Sequence, residues 1–331
     1  MKDKSLSFYV CVLFLAGLIA AALFADWFAP YLPREEERTD SFHPPTRIHF
    51  WGKEGNFYPR PFVYRSRVYY DQNLRRIYKE DPSVKYFLKF GRGKLLNVER
   101  PAKVYLFGAD SRGRDLFSRL LYGARISLSI GFLGALIAAL VGFLIGGISG
   151  YYGGKLDQCL MRLAEFFIMI PAFYFLLALR SALPPQLGSR ELYVLIVAIL
   201  SFIGWGGIAR VIRGMVFSIR ESDFLMAAKV LGRGDFEILV RHVLPQTYSY
   251  LGLVLSVSIP GYILGESALS LLGLGIQEPD VSWGNLLVES LSVAHLKFHP
   301  WILAPGVMIF ATAFCFNVLG DVLRKRQVIF S

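Results

Sequence analysis

The stretch Asp223–Pro245, DFLMAAKVLGRGDFEILVRHVLP, decides the fold because it is a polar, charged segment between two long apolar runs. Its first half carries an N-capping residue and side chains at helical spacing, namely Asp223, Phe224, Ala227, Ala228 and Leu231. Gly232 follows where a left-handed residue ends a helix, and a second helix is expected to end at Leu244 and Pro245. A helical hairpin with a small-residue face is suited to receive another protein. The chain is therefore predicted to be a membrane subunit driven from outside itself.

The apolar runs predict the class of protein. The chain has 331 residues and is 54% hydrophobic. Each apolar run approaches the ~20 residues that cross a bilayer, whereas a soluble protein would need most of its helices to be apolar all round. We expect an all-α polytopic membrane protein with six spans and a small, mostly β extracytoplasmic insert. The spans are predicted at Phe8–Ala25, Ile126–Ile148, Phe166–Leu183, Leu192–Ala209, Tyr250–Leu274 and Trp301–Leu319.

The first run could also be a secretory signal, because Lys2 and Lys4 precede it. Its length of about 18 residues exceeds a typical signal h-region, and no clear small-residue cleavage site precedes Asp26. We therefore expect residues 1–30 to be an uncleaved N-terminal transmembrane anchor.

Basic residues in short loops predict the orientation. They fall on one side of the membrane if both termini are cytoplasmic, and comprise Lys155, Arg162, Arg210, Arg213, Arg220, Lys229, Arg233, Arg241, Arg324, Lys325 and Arg326. Much of the net charge of +11 is this bias. The net charge therefore needs no nucleic acid to explain it, and the expected partner on this count is the lipid bilayer.

Residues 31–105 form the predicted extracytoplasmic insert. Alternating patterns predict two hairpins, formed by Arg47–Trp51 with Phe57–Tyr58 and by Lys85–Phe90 with Lys94–Leu96. The segment Asp71–Tyr78 is expected to be a short helix. The insert either contacts a partner protein or packs on its own spans and a sister subunit.

The sequence has no catalytic signature. It lacks the phosphate-binding G-x-x-x-x-G-K-[ST] motif, H-E-x-x-H and G-x-S-x-G. The cysteines Cys11, Cys159 and Cys315 have no metal-binding spacing. No catalytic residue, metal site or bound cofactor is therefore predicted, and uphill transport would need an ion gradient or a separate ATPase.

Four groups of motifs resemble one family. The chain is similar to C-type permease subunits of the dipeptide/oligopeptide/nickel ABC importer family. The matching segments are Ala227-Ala228 with Gly232 and Arg241–Pro245; Phe107–Asp115 with Ser118-Arg119 and Tyr122–Arg125; Glu266–Gly275 with Ser282–Asn285; and Asn317–Asp321. The chain departs from the family pattern at Met226, where a charged residue often stands, at Ala109 and at Leu271.

The resemblance implies a type I ABC importer permease fold in residues 106–331, with a cytoplasmic coupling loop at 221–246. It implies half of a translocation pathway for peptides or a similar small solute in a prokaryotic inner membrane. The implied partners are a sister permease in a heterodimer, two cytoplasmic ABC ATPases that use ATP and magnesium, and an extracytoplasmic solute-binding protein. The Asp223–Leu231 helix would dock in a groove of the ATPase.

Four further residues are candidates for a gate or pathway. Glu266 lies inside the fifth span, where a carboxylate is costly and usually faces protein or water. It either meets a peptide amine or a cation, or is hydrogen-bonded near an outer gate. Asp110 is expected to cap the helix bearing Arg114 and Asp115, and this turn is interpreted as a gate element.

Two other functions remain open from the residues alone. An ion-gradient-driven secondary transporter predicts several intramembrane charges and an inverted repeat, whereas Glu266 is the main such charge. A membrane receptor or scaffold would use the insert and would not need the Ala-Ala…Gly…Leu-Pro loop. Co-purification of an ATP-hydrolysing partner separates both from the importer.

Overall fold

The computed structural model describes residues 2–72, 75–91, 94–182, 184 and 187–330. Its contacts group into two units. Unit 1 comprises Met1–Leu15, Ser127–Ile276 and Ile309–Ser331, and unit 2 comprises Ala16–Ile126 and Gln277–Met308. The sequence ranges 1–30, 31–105 and 106–331 stay a prediction about domain organisation.

Helices dominate the chain. The α-helices are α1 (Lys2–Leu23), α2 (Ala25–Phe28), α3 (Leu116–Tyr152), α4 (Gly154–Met169), α5 (Ala172–Ala182), α6 (Ser189–Arg220), α7 (Asp223–Val230), α8 (Asp235–Ile238), α9 (Tyr248–Leu271), α10 (Trp283–Leu286), α11 (Val293–Phe298) and α12 (Ala304–Phe330). A π-helical turn (Leu239–Val243) and 3₁₀ turns (Arg38–Asp40, Leu244–Thr247, Leu287–Leu291 and Pro300–Leu303) complete the helical elements.

Five helical segments in the described part of the chain are long and apolar enough to cross a membrane. They are Leu6–Leu23, Leu116–Tyr152, Ser189–Arg220, Asp235–Leu271 and Pro300–Lys325. The expected third span, Phe166–Leu183, is divided instead, and its last residue lies outside the described residues. Ile170 is extended between α4 and α5, because the residue before a proline, here Pro171, avoids the helical region.

The strands confirm one predicted hairpin and correct another. The strands β1 (His49–Trp51), β2 (Phe57–Tyr70) and β3 (Arg76–Phe87) form an antiparallel sheet in that order. The short strands β4 (Lys89–Gly91) and β5 (Lys94–Asn97) pair separately. The second predicted hairpin, Lys85–Phe90 with Lys94–Leu96, is therefore confirmed only next to its turn, where β4 pairs with β5. Its first residues, including Tyr86 and Phe87, pair with β2 instead.

The predicted helix at Asp71–Tyr78 is wrong. The chain turns after β2, with Asn73 and Leu74 outside the described residues, and Arg76–Tyr78 begins β3. Ile77 and Tyr78 lie opposite Tyr69 and Val68. Cross-strand pairs of aromatic and β-branched side chains stabilise a sheet, and this pairing outweighs the local helical pattern.

Glycines bring α3 close to α6 in unit 1. Gly142, Gly146 and Gly150 recur every four residues, and a Cβ at Gly146 would lie 2.4 Å from the carbonyl oxygen of Ala209. Small residues at this spacing allow membrane helices to pack at backbone distance. The surrounding core of unit 1 includes Ile208, Ile212, Val216, Leu225, Ala228 and Leu244.

In unit 2, β2 and the segment before α3 form a core around Val63, Leu88, Ala102 and Val104. Trp283 in the same unit is fully buried, and its indole Nε1 donates to the Leu120 carbonyl at 3.0 Å. Ser282 caps α10 reciprocally with Asn285. This unit holds the polar turn that precedes α3.

Candidate functional site

The segment Asp223–Pro245 lies within unit 1; it is called the coupling hairpin here after the role that the sequence predicts for it. Its first helix begins at Asp223 with Ser222 as the N-cap residue. The prediction that Asp223 is the cap is therefore wrong by one residue. Asp223 instead stands in the first turn, where an acidic side chain is favourable to the helix dipole.

Gly232 ends this helix in the left-handed conformation, with φ 78°. The amide of Arg233 donates to the Ala228 carbonyl at 3.2 Å, and the amide of Gly232 donates to the Lys229 carbonyl at 2.9 Å. These two bonds form a Schellman C-cap. The expected glycine break is confirmed at this position.

The two faces of the coupling hairpin differ. Leu225 and Ala228 are buried in the core of unit 1. Val230, Leu231 and Phe236 have exposed fractions of 87%, 80% and 73%. We call these three exposed side chains the apolar row; they lie on the same segment as the buried Leu225 and Ala228.

The predicted docking residues divide between these faces. Asp223, Phe224, Ala227 and Gly232 are exposed, whereas Ala228 and Leu244 are buried and Pro245 is half-buried. The Ala-Ala pair thus has one residue available to a partner and one that packs inward.

Pro245 does not end the second helix, which corrects that prediction. The path runs from α8 through the π-helical turn and the 3₁₀ turn into α9, with Pro245 in the first turn of the 3₁₀ segment. Proline is tolerated there because a first-turn amide has no intrahelical partner. The apolar segment accordingly extends without a break over Asp235–Leu271.

Ion pairs on the coupling hairpin are exposed. Glu237 accepts from Arg233 at 2.7 Å and from Arg241 at 2.9 Å. The side-chain carboxylate of Asp235 accepts from the Tyr151 hydroxyl at 2.7 Å. The two exposed ion pairs of Glu237 contribute about 0–1 kcal/mol each, so they orient the surface more than they stabilise it.

A paired carboxylate on α4 was missed by the sequence analysis. Arg213 on α6 donates Nε to Asp157 Oδ1 at 2.6 Å and Nη2 to Asp157 Oδ2 at 2.5 Å. The bonds from Arg213 hold the pKa of Asp157 below its ordinary value. The sequence predicts Arg213 only as part of the basic charge bias of the short loops. Its position one helical turn from Arg210, on an apolar helix, was the available signal of an acidic partner.

The turn before α3 holds an ionic cluster in unit 2, defined by Asp110, Arg112, Arg114, Arg119 and Glu278. Arg114 Nε lies 2.6 Å from Asp110 Oδ2 and its Nη1 lies 2.7 Å from Glu278 Oε1. Arg119 also pairs with Asp110 and reaches Glu278 Oε1 at 3.3 Å. Arg112 pairs with the other oxygen, Oε2, at 2.5 Å.

Charge in the ionic cluster is largely buried. The side chains of Asp110, Arg114 and Arg119 are 4%, 8% and 4% exposed, and that of Glu278 is 37% exposed. Burial raises the pKa of Glu278, but the bonds and charges of the arginines outweigh it and the net shift is downward. Glu278 was not predicted, although three closely spaced arginines beside two acids signalled a missing carboxylate.

Asp115, and not Asp110, caps α3. Its Oδ2 accepts from the Ser118 amide at 2.8 Å and from the Ser118 hydroxyl at 2.6 Å. Asp110 instead accepts from the amides of Arg112 and Arg114, each at 2.9 Å. The helix begins at Leu116, so Arg114 and Asp115 precede it.

Burial raises the pKa of Asp115 to about 7, against the opposing bonds from Ser118. Its second oxygen, Oδ1, has no hydrogen-bond partner among the described residues. Burial of Asp115 therefore favours the neutral, protonated form of its side chain.

Glu266 is fully buried on α9, in unit 1. Its Oε1 accepts from the Ser270 hydroxyl at 2.6 Å, and the Ser127 hydroxyl lies 3.4 Å from Oε2. The two hydroxyls supply the carboxylate of Glu266 with hydrogen bonds that lipid could not provide. The structure brings Asp110, Arg114 and Asp115 together in unit 2, whereas Glu266 belongs to unit 1.

Comparison with known proteins extends these observations. Residues 142–328 match the family described as binding-protein-dependent transport system inner membrane component. The chain is 39% identical over 221 residues to the oligopeptide transport system permease protein OppC of Haemophilus influenzae, covering 66% of this chain and 68% of that protein. It is 38% identical over 225 residues to the dipeptide transport system permease protein DppC of Bacillus subtilis, covering 68% of each.

Among solved structures, an inward-facing MetNI methionine ABC transporter has a TM-score of 0.49 and 14% sequence identity. The likeness covers 63% of this chain and 97% of that one.

Proposed function

This chain belongs to the inner membrane components of binding-protein-dependent transport systems, and we propose that it forms half of the translocation pathway of an ATP-driven peptide importer. The solute class is supported by the relatives named for oligopeptide and dipeptide transport. Its five apolar segments suit a polytopic subunit. Nickel complexes and other small solutes remain alternatives for the cargo.

The observation that carries the proposal is the open apolar row of the coupling hairpin. Val230, Leu231 and Phe236 project from a segment rich in charge, while Leu225 anchors it in the core. Exposed apolar patches rimmed by polar residues mark interaction sites. A cytoplasmic ABC ATPase is the proposed occupant, because the chain lacks a phosphate-binding motif and uphill import needs an energy source.

The proposed assembly has one sister permease, two ATPases and an extracytoplasmic binding protein. One chain offers one coupling hairpin, and two ATPase subunits would need two such hairpins. ATP and magnesium would be bound by the ATPases and not by this chain. The basic short loops support cytoplasmic termini and a cytoplasmic coupling hairpin.

Glu266 fits either of the two roles proposed for it. Its bonds to Ser270 and Ser127 support a hydrogen-bonded carboxylate that holds α9 near a gate. A pathway role would require the carboxylate to exchange those hydroxyls for a peptide amine or a cation. Glu266→Gln separates the two, since it keeps most of the hydrogen bonding and removes the charge.

The proposal is tested by purification and reconstitution. The chain, expressed together with a sister permease, an ABC ATPase and a solute-binding protein, is expected to co-purify with an ATP-hydrolysing partner and to import labelled dipeptide only with ATP. Liposomes that hold the purified chain alone should not transport. Nucleotide-independent uptake by the chain alone would favour a secondary transporter and overturn the proposal.

A further inference from the structure

Unit 2 contains a cavity of about 540 Å³ that belongs to neither of the sites described above. We call it the ring pocket, and its principal walls are Phe42, Arg75, Arg76, Tyr78, Phe298 and His299. Its volume falls within the ~300–1,000 Å³ typical of small-molecule sites. Three segments distant in sequence converge on it, so it is a product of the tertiary fold.

Stacked rings form one wall of the ring pocket. The Phe42 ring lies parallel to the His299 imidazole, with centroids 4.2 Å apart and planes 5° apart. Phe42 has a φ of 53°, which is rare for a bulky residue. Its amide donates to the Asp110 carbonyl at 2.8 Å, which holds this backbone in place. Backbone strain of this kind concentrates at ligand-binding positions.

Two guanidinium groups also line the pocket. The Arg75 guanidinium carbon lies 4.2 Å from the centroid of the Phe298 ring, a cation–π contact that leaves its N–H edge available. Arg76 donates a hydrogen bond from Nη1 to the Arg38 carbonyl at 2.9 Å. The lining contains one carboxylate, that of Asp71. The pocket therefore carries an excess of positive charge.

The remaining polar groups are neutral. Tyr78 donates its hydroxyl to the Ser41 carbonyl at 2.6 Å, and burial raises its pKa to about 12. Burial and the neighbouring His295 hold the pKa of His299 below its ordinary value. His299 Nδ1 is buried without a hydrogen-bond partner among the residues described. Tyr78 and His299 therefore add no third cation to the pocket.

We infer that the ring pocket binds a monocarboxylate with an aromatic or apolar body, which is the chemistry of the C-terminal residue of a short peptide. Arginine binds carboxylates through paired N–H donors, while the rings of Phe42 and Phe298 accept the apolar body. The peptide assignment rests on the proposed function. The site would then give this subunit its own contact with the cargo, outside the spans.

The first test uses N-acetylphenylalanine and N-acetylphenylalanine amide as probes of the full chain in nanodiscs. Saturation-transfer NMR is expected to show saturable binding of the acid with a Kd of about 1 mM. The amide, which lacks the carboxylate, should bind at least about 10-fold more weakly. Equal binding of acid and amide, or no saturable binding of the acid, would overturn the inference.

The second test uses a matched pair of arginine variants on one β-hairpin. Arg75→Gln should weaken binding of the acid about 10-fold and leave the amide unchanged. Arg67→Gln is the control, because Arg67 on β2 pairs with Asp81 at 2.6 Å and does not line the pocket. Equal losses in both variants would show a general charge effect and contradict the site.

Peptide import is measured separately in the assembled complex with ATP. Import without saturable binding by the ring pocket would overturn this inference and leave the proposed function standing. Saturable binding by the ring pocket without ATP-driven import would overturn the proposed importer function. The carboxylate site itself would then stand, on a protein with another activity.

Discussion

The coupling hairpin and the ionic cluster both adjoin long helices, yet they treat charge in opposite ways. On the hairpin, Glu237 and its partner Arg241 are 37% and 70% exposed, and apolar side chains face outward. In the cluster, Asp110 and Arg119 are each 4% exposed. Solvent screens the first pair, whereas the second depends on complete pairing. One region is therefore a surface suited to a partner and the other is a fixed part of its own unit.

The strongest test of this contrast is Asp110→Asn. The amide keeps the shape and can still accept from the backbone of Arg112 and Arg114. The two buried guanidiniums lose the more deeply buried of their two shared carboxylates and keep only Glu278, which is 37% exposed. Breaking a buried pair costs about 3–5 kcal/mol. We expect thermal unfolding in detergent to show a free energy of unfolding lower by that amount, or the protein not to accumulate. A loss below about 1 kcal/mol would mean that water reaches the cluster and the comparison fails.

Gly232→Val should affect coupling more than folding. A left-handed valine is disfavoured by roughly 1–2 kcal/mol, and relief of that strain would move the helix that carries Ala227. Nothing lies within 4 Å of a Cβ at this position, so conformation and not collision is the cause. We expect near-normal accumulation in membranes and at least about a 10-fold loss of ATP-driven uptake, which corresponds to about 1.4 kcal/mol.

Gly234→Val provides the matched control for Gly232→Val. Gly234 is exposed in the same turn, has φ −71° and also has open space around its Cβ position. The Gly234→Val variant should keep most of the ATP-driven uptake. Normal uptake by Gly232→Val, or equal loss of uptake in both variants, would show that the left-handed turn at Gly232 is not needed to couple ATP hydrolysis to transport.

Local patterns predicted the hairpin better than the cluster. Helical spacing and a single glycine were sufficient for α7 and its C-cap, because neighbours along the chain determine them. Arg114 has one local partner, Asp110, but its second partner, Glu278, lies 164 residues away, and no short-range pattern connects Arg114 with Glu278. The helix predicted at Asp71–Tyr78 was wrong because strand pairing outweighed the local preference, whereas the helix end predicted at Pro245 was wrong because a first-turn position tolerates proline.

The pH dependence of stability should identify Asp115. Its folded pKa of about 7 lies above the ordinary 3.8, so the folded state holds more protons between these values. Stability contributed by this proton is present below pH 4 and is lost as pH rises toward 7, by at most about 1.4 kcal/mol per pH unit. Asp115→Asn should flatten that part of the profile, measured by denaturant unfolding at pH 4.5, 6 and 8. Asp280→Asn, at an exposed carboxylate, should leave the slope unchanged.

Glu237→Gln is the smallest expected change and the direct counterpart of Asp110→Asn. It also removes one negative charge shared by two arginines, Arg233 and Arg241, and preserves the side-chain shape. Because all three groups are in contact with water, the free energy of unfolding should change by about 0–1 kcal/mol. High salt should shrink even that difference, since the Debye length falls to about 3 Å at 1 M. A loss as large as that of Asp110→Asn, unaffected by salt, would mean that the hairpin's charges are structural and that its surface is not free for a partner.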